Sequence, residues 1–194
     1  MWSTPAIPLG TESELPVVEH VLFLRHAQTQ YLVEKRISGR SLEIPILSEI
    51  GISIDVPVDC VFCSPALRCR QTLDILLRSN PVGQVFFNQK LLERGMGVME
   101  GQYRSDMVKQ YPHLFHGDRF RLYETPPQGE SFEEFHKRAL QLWDEISQTQ
   151  SGTVLICAHN QILKMLSFVI WGNEPTESEW EERCFPVGVI TKIY

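Results

Sequence analysis

The sequence predicts an α/β protein, a three-layer sandwich with helices on both faces of a mostly parallel central sheet. Three observations carry that prediction. Residues 20–25, 58–63 and 153–158 are continuous apolar runs, as expected of strands buried on both faces. Residues 66–77 and 161–170 follow two of those runs with helical patterns. A helix predicted from Ser131 to about Ser147 repeats its apolar residues at spacings of three and four: Phe132, Phe135, Ala139, Leu142 and Ile146. Ser131 and Glu134 have the spacing of a capping box that would open it.

The remaining elements are shorter. Residues 82–87 read as a third strand in chain order, and residues 104–111 as a short helix that stops before Pro112. Residues 125–129 form a proline- and glycine-bearing loop, and residues 187–193 alternate as a strand does. The chain of 194 residues is read as one domain over 20–194, able to bury roughly 70% of its unfolded surface. Residues 1–19 hold three of the prolines and read as an extended or disordered lead-in without the pattern of a signal peptide.

Composition narrows the function. Charged residues are 22% of the chain, hydrophobic residues 43%, and the net charge is −6. A nucleic-acid partner is not expected, because such proteins carry a basic stripe. A membrane partner is not expected either, because no apolar run reaches the length of a span. An anionic small ligand stays open, since a local cationic pocket can sit in an acidic protein. Five cysteines, an odd number, read as reduced thiols of a cytoplasmic protein. Cys60 and Cys63 have C-x-x-C spacing, but no second pair supports a metal or redox site.

Two apolar runs end in histidine: Leu24-Arg25-His26 and Cys157-Ala158-His159. Ligands of open α/β sheets bind beyond the carboxyl ends of the strands, so the two imidazoles would meet if these strands were neighbours. Arginine offers a planar fork for phosphate or carboxylate, and neutral imidazole is a nucleophile near pH 7. The same pair also occurs as ordinary rim residues. Arg68 and Arg70 lie in the first turns of the helix after residues 58–63, and only one of them can readily face the strand rim. Glu93 and Glu100 lie on a loop with three glycines, and spacing alone promotes neither.

Together these stretches resemble the histidine phosphatase superfamily, the phosphoglycerate-mutase-like proteins. Arg25-His26-Ala27 with Thr29 is similar to the family's Arg-His-Gly-x-Thr at the first strand end. Ser64-Pro65, Arg68 and Gln71-Thr72 match its next strand–helix junction. Leu91, Glu93, Gly97 and Glu100-Gly101 match its glutamate loop, with Met99 for tryptophan. Gly129-Glu130-Ser131 and the late histidine His159 complete the set over residues 20–194.

The resemblance implies a phosphoglycerate-mutase-like fold and a metal-independent phosphomonoester hydrolase without a cofactor. His26 would take the phosphoryl group, and Arg25, Arg68 and His159 would hold its oxygens. Glu93 would protonate the leaving oxygen, with phosphate charge nearby raising its pKa. The implied binding set is Arg25, Arg68, His159, Gln28, Thr29 and Asn160.

The chain also departs from the family. Ala27 and Asn160 stand for glycines, and Leu32 stands where asparagine is common, which makes Gln28 the expected substitute donor. The helix usual after Gly51 is expected to be missing or reduced to a loop. A mutase, or a phosphate-binding protein without turnover, is the alternative, and the short segment 102–128 favours the hydrolase. Substrate choice is expected from that segment and residues 30–45. Tyr103, Lys109, Tyr111, His113, His116, Arg119 and Arg121 are its candidate lining, for a phosphorylated small molecule or a phosphopeptide.

Overall fold

A computed structural model describes residues 18–149 and 152–194, so most of the expected lead-in lies outside the described residues. In chain order the strands are β1 (Val18–Arg25), β2 (Cys60–Cys63), β3 (Gln84–Phe87), β4 (Phe115–His116), β5 (Arg119–Phe120), β6 (Gly152–Ala158) and β7 (Ile190–Lys192). The helices are α1 (Gln30–Val33), α2 (Leu67–Leu77), α3 (Arg104–Gln110), α4 (Phe132–Thr149), α5 (Asn160–Ile170) and α6 (Glu177–Glu182). Five strands form the central sheet in the order β3-β2-β6-β1-β7. β1, β2, β3 and β6 are parallel, and β7 is an antiparallel edge strand.

The apolar runs are continuous because both faces of the sheet are covered. Val21, Phe23, Phe62, Val154 and Ile156 pack with the α4 stripe and with Ile162, Leu163 and Leu166 of α5. Leu22, Leu24, Val61, Cys63, Leu155 and Cys157 point the other way, against Cys69, Leu73 and Leu76 of α2. All five residues of the expected α4 stripe are buried. The Ser131–Glu134 box also forms. The Glu134 amide donates to Ser131 Oγ at 3.1 Å, and the Ser131 amide donates to Glu134 Oε2 at 3.0 Å.

Several sequence expectations shift. β1 begins at Val18, inside the expected lead-in, because Val18 pairs with Gly152. The strand expected over 187–193 shortens to Ile190–Lys192, since Gly188 has φ +67° and leaves Val187 as an isolated bridge to Arg25 of β1. No helix follows Gly51. There Ile52 and Val58 are buried in the α2-side core, with Ile50 and Ile54 packed against it from an irregular segment. The hairpin β4–β5 and helix α6 were not read from the sequence. α6 nonetheless carries a full capping box of Thr176 and Glu179.

Candidate active site

Strand register brings the two histidines together. Arg25 pairs with Ala158 across β1 and β6, so His26 and His159 are the first residues past two adjacent strand ends. The His26 amide donates to Ala158 O at 3.0 Å, and the imidazole centroids stand 5.3 Å apart. On the far side of β6, Cys63 pairs with Cys157, and β2 leads through Ser64 into α2. Arg68, in the first turn of that helix, turns inward and is 1% exposed, whereas Arg70 faces solvent.

Hydrogen bonds fix the protonation of both rings. Carbonyl oxygen only accepts, so the 2.8 Å contact of His26 Nδ1 with Ala27 O places the proton on Nδ1. Nε2 is thereby left with its lone pair. Arg68 Nε donates to His159 Nδ1 at 3.1 Å, which puts the His159 proton on Nε2, 2.8 Å from Ser64 Oγ. Burial first, and the Arg68 guanidinium second, lower the His26 pKa to about 3 and hold that of His159 well below 6.5. Both imidazoles are therefore neutral at pH 7. Backbone geometry at Ala27 tolerates the methyl, because its φ is not positive and its amide donates to Thr72 Oγ1 at 2.8 Å.

The guanidinium groups differ in how they are held. Arg68 donates to Ser41 O at 2.6 Å and Gly39 O at 3.1 Å as well as to His159. Arg25 donates to Phe185 O at 2.8 Å, with Asn160 Oδ1 at 3.5 Å, and its buried Nε has no partner. A buried, unpartnered guanidinium N–H beside a neutral imidazole is a donor in want of an anion.

Glu93 is 9% exposed and reaches the start of α5. His159 provides no side-chain cap there. The Glu93 carboxylate takes that role, accepting from the Gln161 amide at 3.1 Å, the Ile162 amide at 3.1 Å and its neighbour Arg94 at 3.0 Å. Its loop is clamped from behind. Glu130 meets Arg138 through two contacts of 2.7 and 2.8 Å, while Arg138 also donates to Lys90 O and Leu92 O at 2.6 and 2.8 Å. Arg94, fully buried, donates to Leu122 O, Glu124 O and Glu130 O. Gly129 allows this approach, since a Cβ there would stand 2.6 Å from Gly95 O.

Burial works against the Glu130 carboxylate, but the Arg138 contacts and charge, with Gly95 and Arg40, still hold its pKa below 4.5. A carboxyl lowered in the folded state stabilises the fold above its unfolded pKa, and that contribution is lost as pH falls through the folded value. Glu130→Gln is expected to cost about 3 kcal/mol, the low end for breaking a buried pair, because Arg40 on its other side is half-exposed. The deficit should shrink as unfolding is measured at successively lower pH below 4.5. A deficit that stays constant with pH would show that the charge is not what Glu130 contributes.

The strand-rim residues line a cavity of about 340 Å³. Arg25, His26, Arg68, Glu93, His159 and Asn160 all reach it, whereas Gln28 and Thr29 do not. Gln28 instead uses its carbonyl to accept from the Leu47 amide, and Thr29 is buried as the cap of α1. Leu32 lines the cavity where a donor was sought.

Of the expected specificity residues, only Arg119 lines the cavity. His116 pairs with Glu181 at 2.8 Å, and Tyr103 is exposed with Arg36 stacked on it. The wall is made of Arg36, Arg104, Lys164 and Arg183 with Phe115, Phe120 and Trp180, so a chain of net charge −6 presents a strongly cationic pocket. The sequence signal for Lys164 was its place on α5 one turn beyond Asn160, on the same helix face. Among the described residues, no group of three or more His, Cys, Asp or Glu side chains is placed to hold a metal ion.

The carboxyl rim of the mostly parallel sheet thus carries two neutral imidazoles and two guanidinium groups that reach one cavity. The chain belongs to the histidine phosphatase superfamily (branch 1), whose family model matches residues 21–189. It is 30% identical over 128 residues to the Xenopus tropicalis fructose-2,6-bisphosphatase TIGAR, covering 60% of this chain and 45% of that one. The chain thus spans under half the length of that relative. Among solved structures it is similar to the mycobacterial glucosyl-3-phosphoglycerate phosphatase Rv2419c in complex with VO3. That likeness has a TM-score of 0.73 and 23% identity, over 89% of this chain and 91% of that one. The α-ribazole phosphatase of Shigella flexneri matches with a TM-score of 0.69 and 21% identity, over 89% of each chain. These two likenesses bear on the fold alone.

Proposed function

We propose that the chain is a phosphomonoester hydrolase that acts through a phosphohistidine on His26, without a metal ion. The observation that carries this reading is the neutral His26, with Nδ1–H held by Ala27 O and Nε2 left free beside Arg25 and Arg68. The Nε2 lone pair attacks phosphorus, the ester P–O bond breaks, and the leaving oxygen takes the proton that the monoanionic ester has passed to the Glu93 carboxylate on binding. As Nε2 binds phosphorus the ring becomes cationic, which strengthens its Nδ1–H bond to Ala27 O. Arg25 offers its free Nε, and Arg68 its two unused N–H groups, to the phosphoryl oxygens. His159 orients Arg68 through Nδ1 and can turn its Nε2–H from Ser64 to an incoming oxygen. Water then attacks the phosphohistidine, Glu93 accepts its proton, and phosphate leaves.

The names of the relatives support hydrolysis over mutase-type phosphotransfer. A cavity of about 340 Å³ suits a phosphorylated small molecule better than a peptide. No described helix is long and apolar enough to cross a membrane. All five cysteines are free, which fits the cytoplasm. The test is release of inorganic phosphate from 4-nitrophenyl phosphate in the presence of EDTA. Turnover that survives the chelator is expected. Turnover that needs a divalent ion would overturn the mechanism, and turnover only with a bisphosphate primer would make the chain a mutase.

A further inference from the structure

We propose that Lys164 binds the far end of the substrate, which is a small phosphomonoester carrying a second anionic group, either a carboxylate or another phosphate. This deepens, and rests on, the phosphatase reading of the same cavity. Lys164 is 6% exposed, yet its ammonium has no hydrogen bond or ion pair among the described residues. The Nζ lies 4.3 Å over the Trp180 ring, and the residue lines the cavity. A mostly buried side chain that carries its ammonium to the cavity without a counter-charge is costly, and a methionine would fill the same space without that cost.

The other wall cations have partners. Arg36 donates to Gly101 O at 2.6 Å, Arg104 to Asp118 O at 3.2 Å, and Arg119 to Glu181 O at 2.6 Å. Arg183 donates to Ser167 Oγ at 2.7 Å. Of the two acids that line the cavity, Glu181 is engaged by His116 Nδ1 at 2.8 Å, and Glu93 by the Gln161 and Ile162 amides at 3.1 Å each. Burial lowers the Lys164 pKa to about 8, with Cys184, Glu93 and Glu181 opposing the fall and Arg119 adding to it, so the group remains largely charged at pH 7. A phosphate at His26 engages Arg25 and Arg68. Lys164 sits one helical turn, about 6 Å, beyond Asn160 on the same face of α5, and is left for a second anion.

Three probes that differ only at one end test this: propyl phosphate, 3-(phosphonooxy)propanoate and propane-1,3-diyl bisphosphate. Affinities are measured by calorimetry in a His26→Ala background, so the result does not depend on turnover. With Lys164 in place, at least one anionic-ended probe is expected to bind roughly tenfold or more tighter than propyl phosphate. Lys164→Met should bring that ratio to within about twofold, while Lys164→Arg should keep it. Equal affinities for all three probes would overturn the proposal without need of any variant. So would a ratio that survives Lys164→Met, or a loss shared equally by all three. If the ratio behaves as expected but 4-nitrophenyl phosphate is never hydrolysed by the wild type, the subsite stands and the phosphatase reading falls.

Discussion

His26→Ala is expected to lower turnover of 4-nitrophenyl phosphate by on the order of 10⁴-fold or more, because the covalent step loses its acceptor atom. Cys184 carries an exposed thiol on the cavity wall, 3.9 Å from Arg25 Nη1, so a Cys184→Ala control excludes it as a substitute acceptor. His159 engages both ring nitrogens, one with Arg68 Nε and one with Ser64 Oγ. The thiols of Cys63, Cys69 and Cys157 are buried in the sheet–α2 core. Arg25 and Arg68 keep their own backbone anchors at Phe185, Gly39 and Ser41, so the anion site itself should persist in the variant. Vanadate or phosphate binding measured beside turnover therefore separates loss of the nucleophile from collapse of the pocket. Activity within about tenfold of wild type would rule out the covalent route.

Glu93→Gln is expected to act through the leaving group. An alkyl alkoxide is a poor leaving group and needs a proton as it departs, so hydrolysis of propyl phosphate should fall by roughly 10²–10⁴-fold. Nitrophenolate leaves unprotonated, and the loss with 4-nitrophenyl phosphate should stay within about tenfold. The variant also turns an amide N–H₂ toward the amides of Gln161 and Ile162, which the carboxylate now accepts from. Loosening of α5 would slow both substrates alike. An equal loss with both substrates would make Glu93 a helix cap only, and a gap between them identifies the acid.

Periodicity carried most of the fold. Buried strands announce themselves as apolar runs because both faces are covered, and the α4 stripe follows from one helix face meeting the sheet. The shorter elements escaped for local reasons. β4 and β5 are two residues each, too short to show alternation, and α6 has a single buried residue, Trp180. The rim residues Arg25, His26, Arg68 and His159 were legible because each sits within a few residues of a strand end. Glu93 was legible as a candidate only by resemblance, since its placement depends on capping a helix that lies 68 and 69 residues away at Gln161 and Ile162.

The cavity wall was read least well. The place of Lys164 one turn beyond Asn160 on α5 was a signal, but the sequence does not show that Trp180 of α6 lies under its ammonium, 4.3 Å away. Gln28 was expected to donate to phosphate from its place next to the motif. Gln28 is not among the residues that line the cavity, and its backbone carbonyl accepts from the Leu47 amide.

The most direct measurement stops the enzyme in alkali during turnover of 4-nitrophenyl phosphate and maps any phosphoryl adduct by peptide mass. Imidazole with Nε2 unprotonated, clamped between two guanidinium groups, should yield one base-stable, acid-labile phosphoryl group on the peptide that contains His26. Steady turnover with no adduct on that peptide, or with the adduct on another residue, would contradict the account.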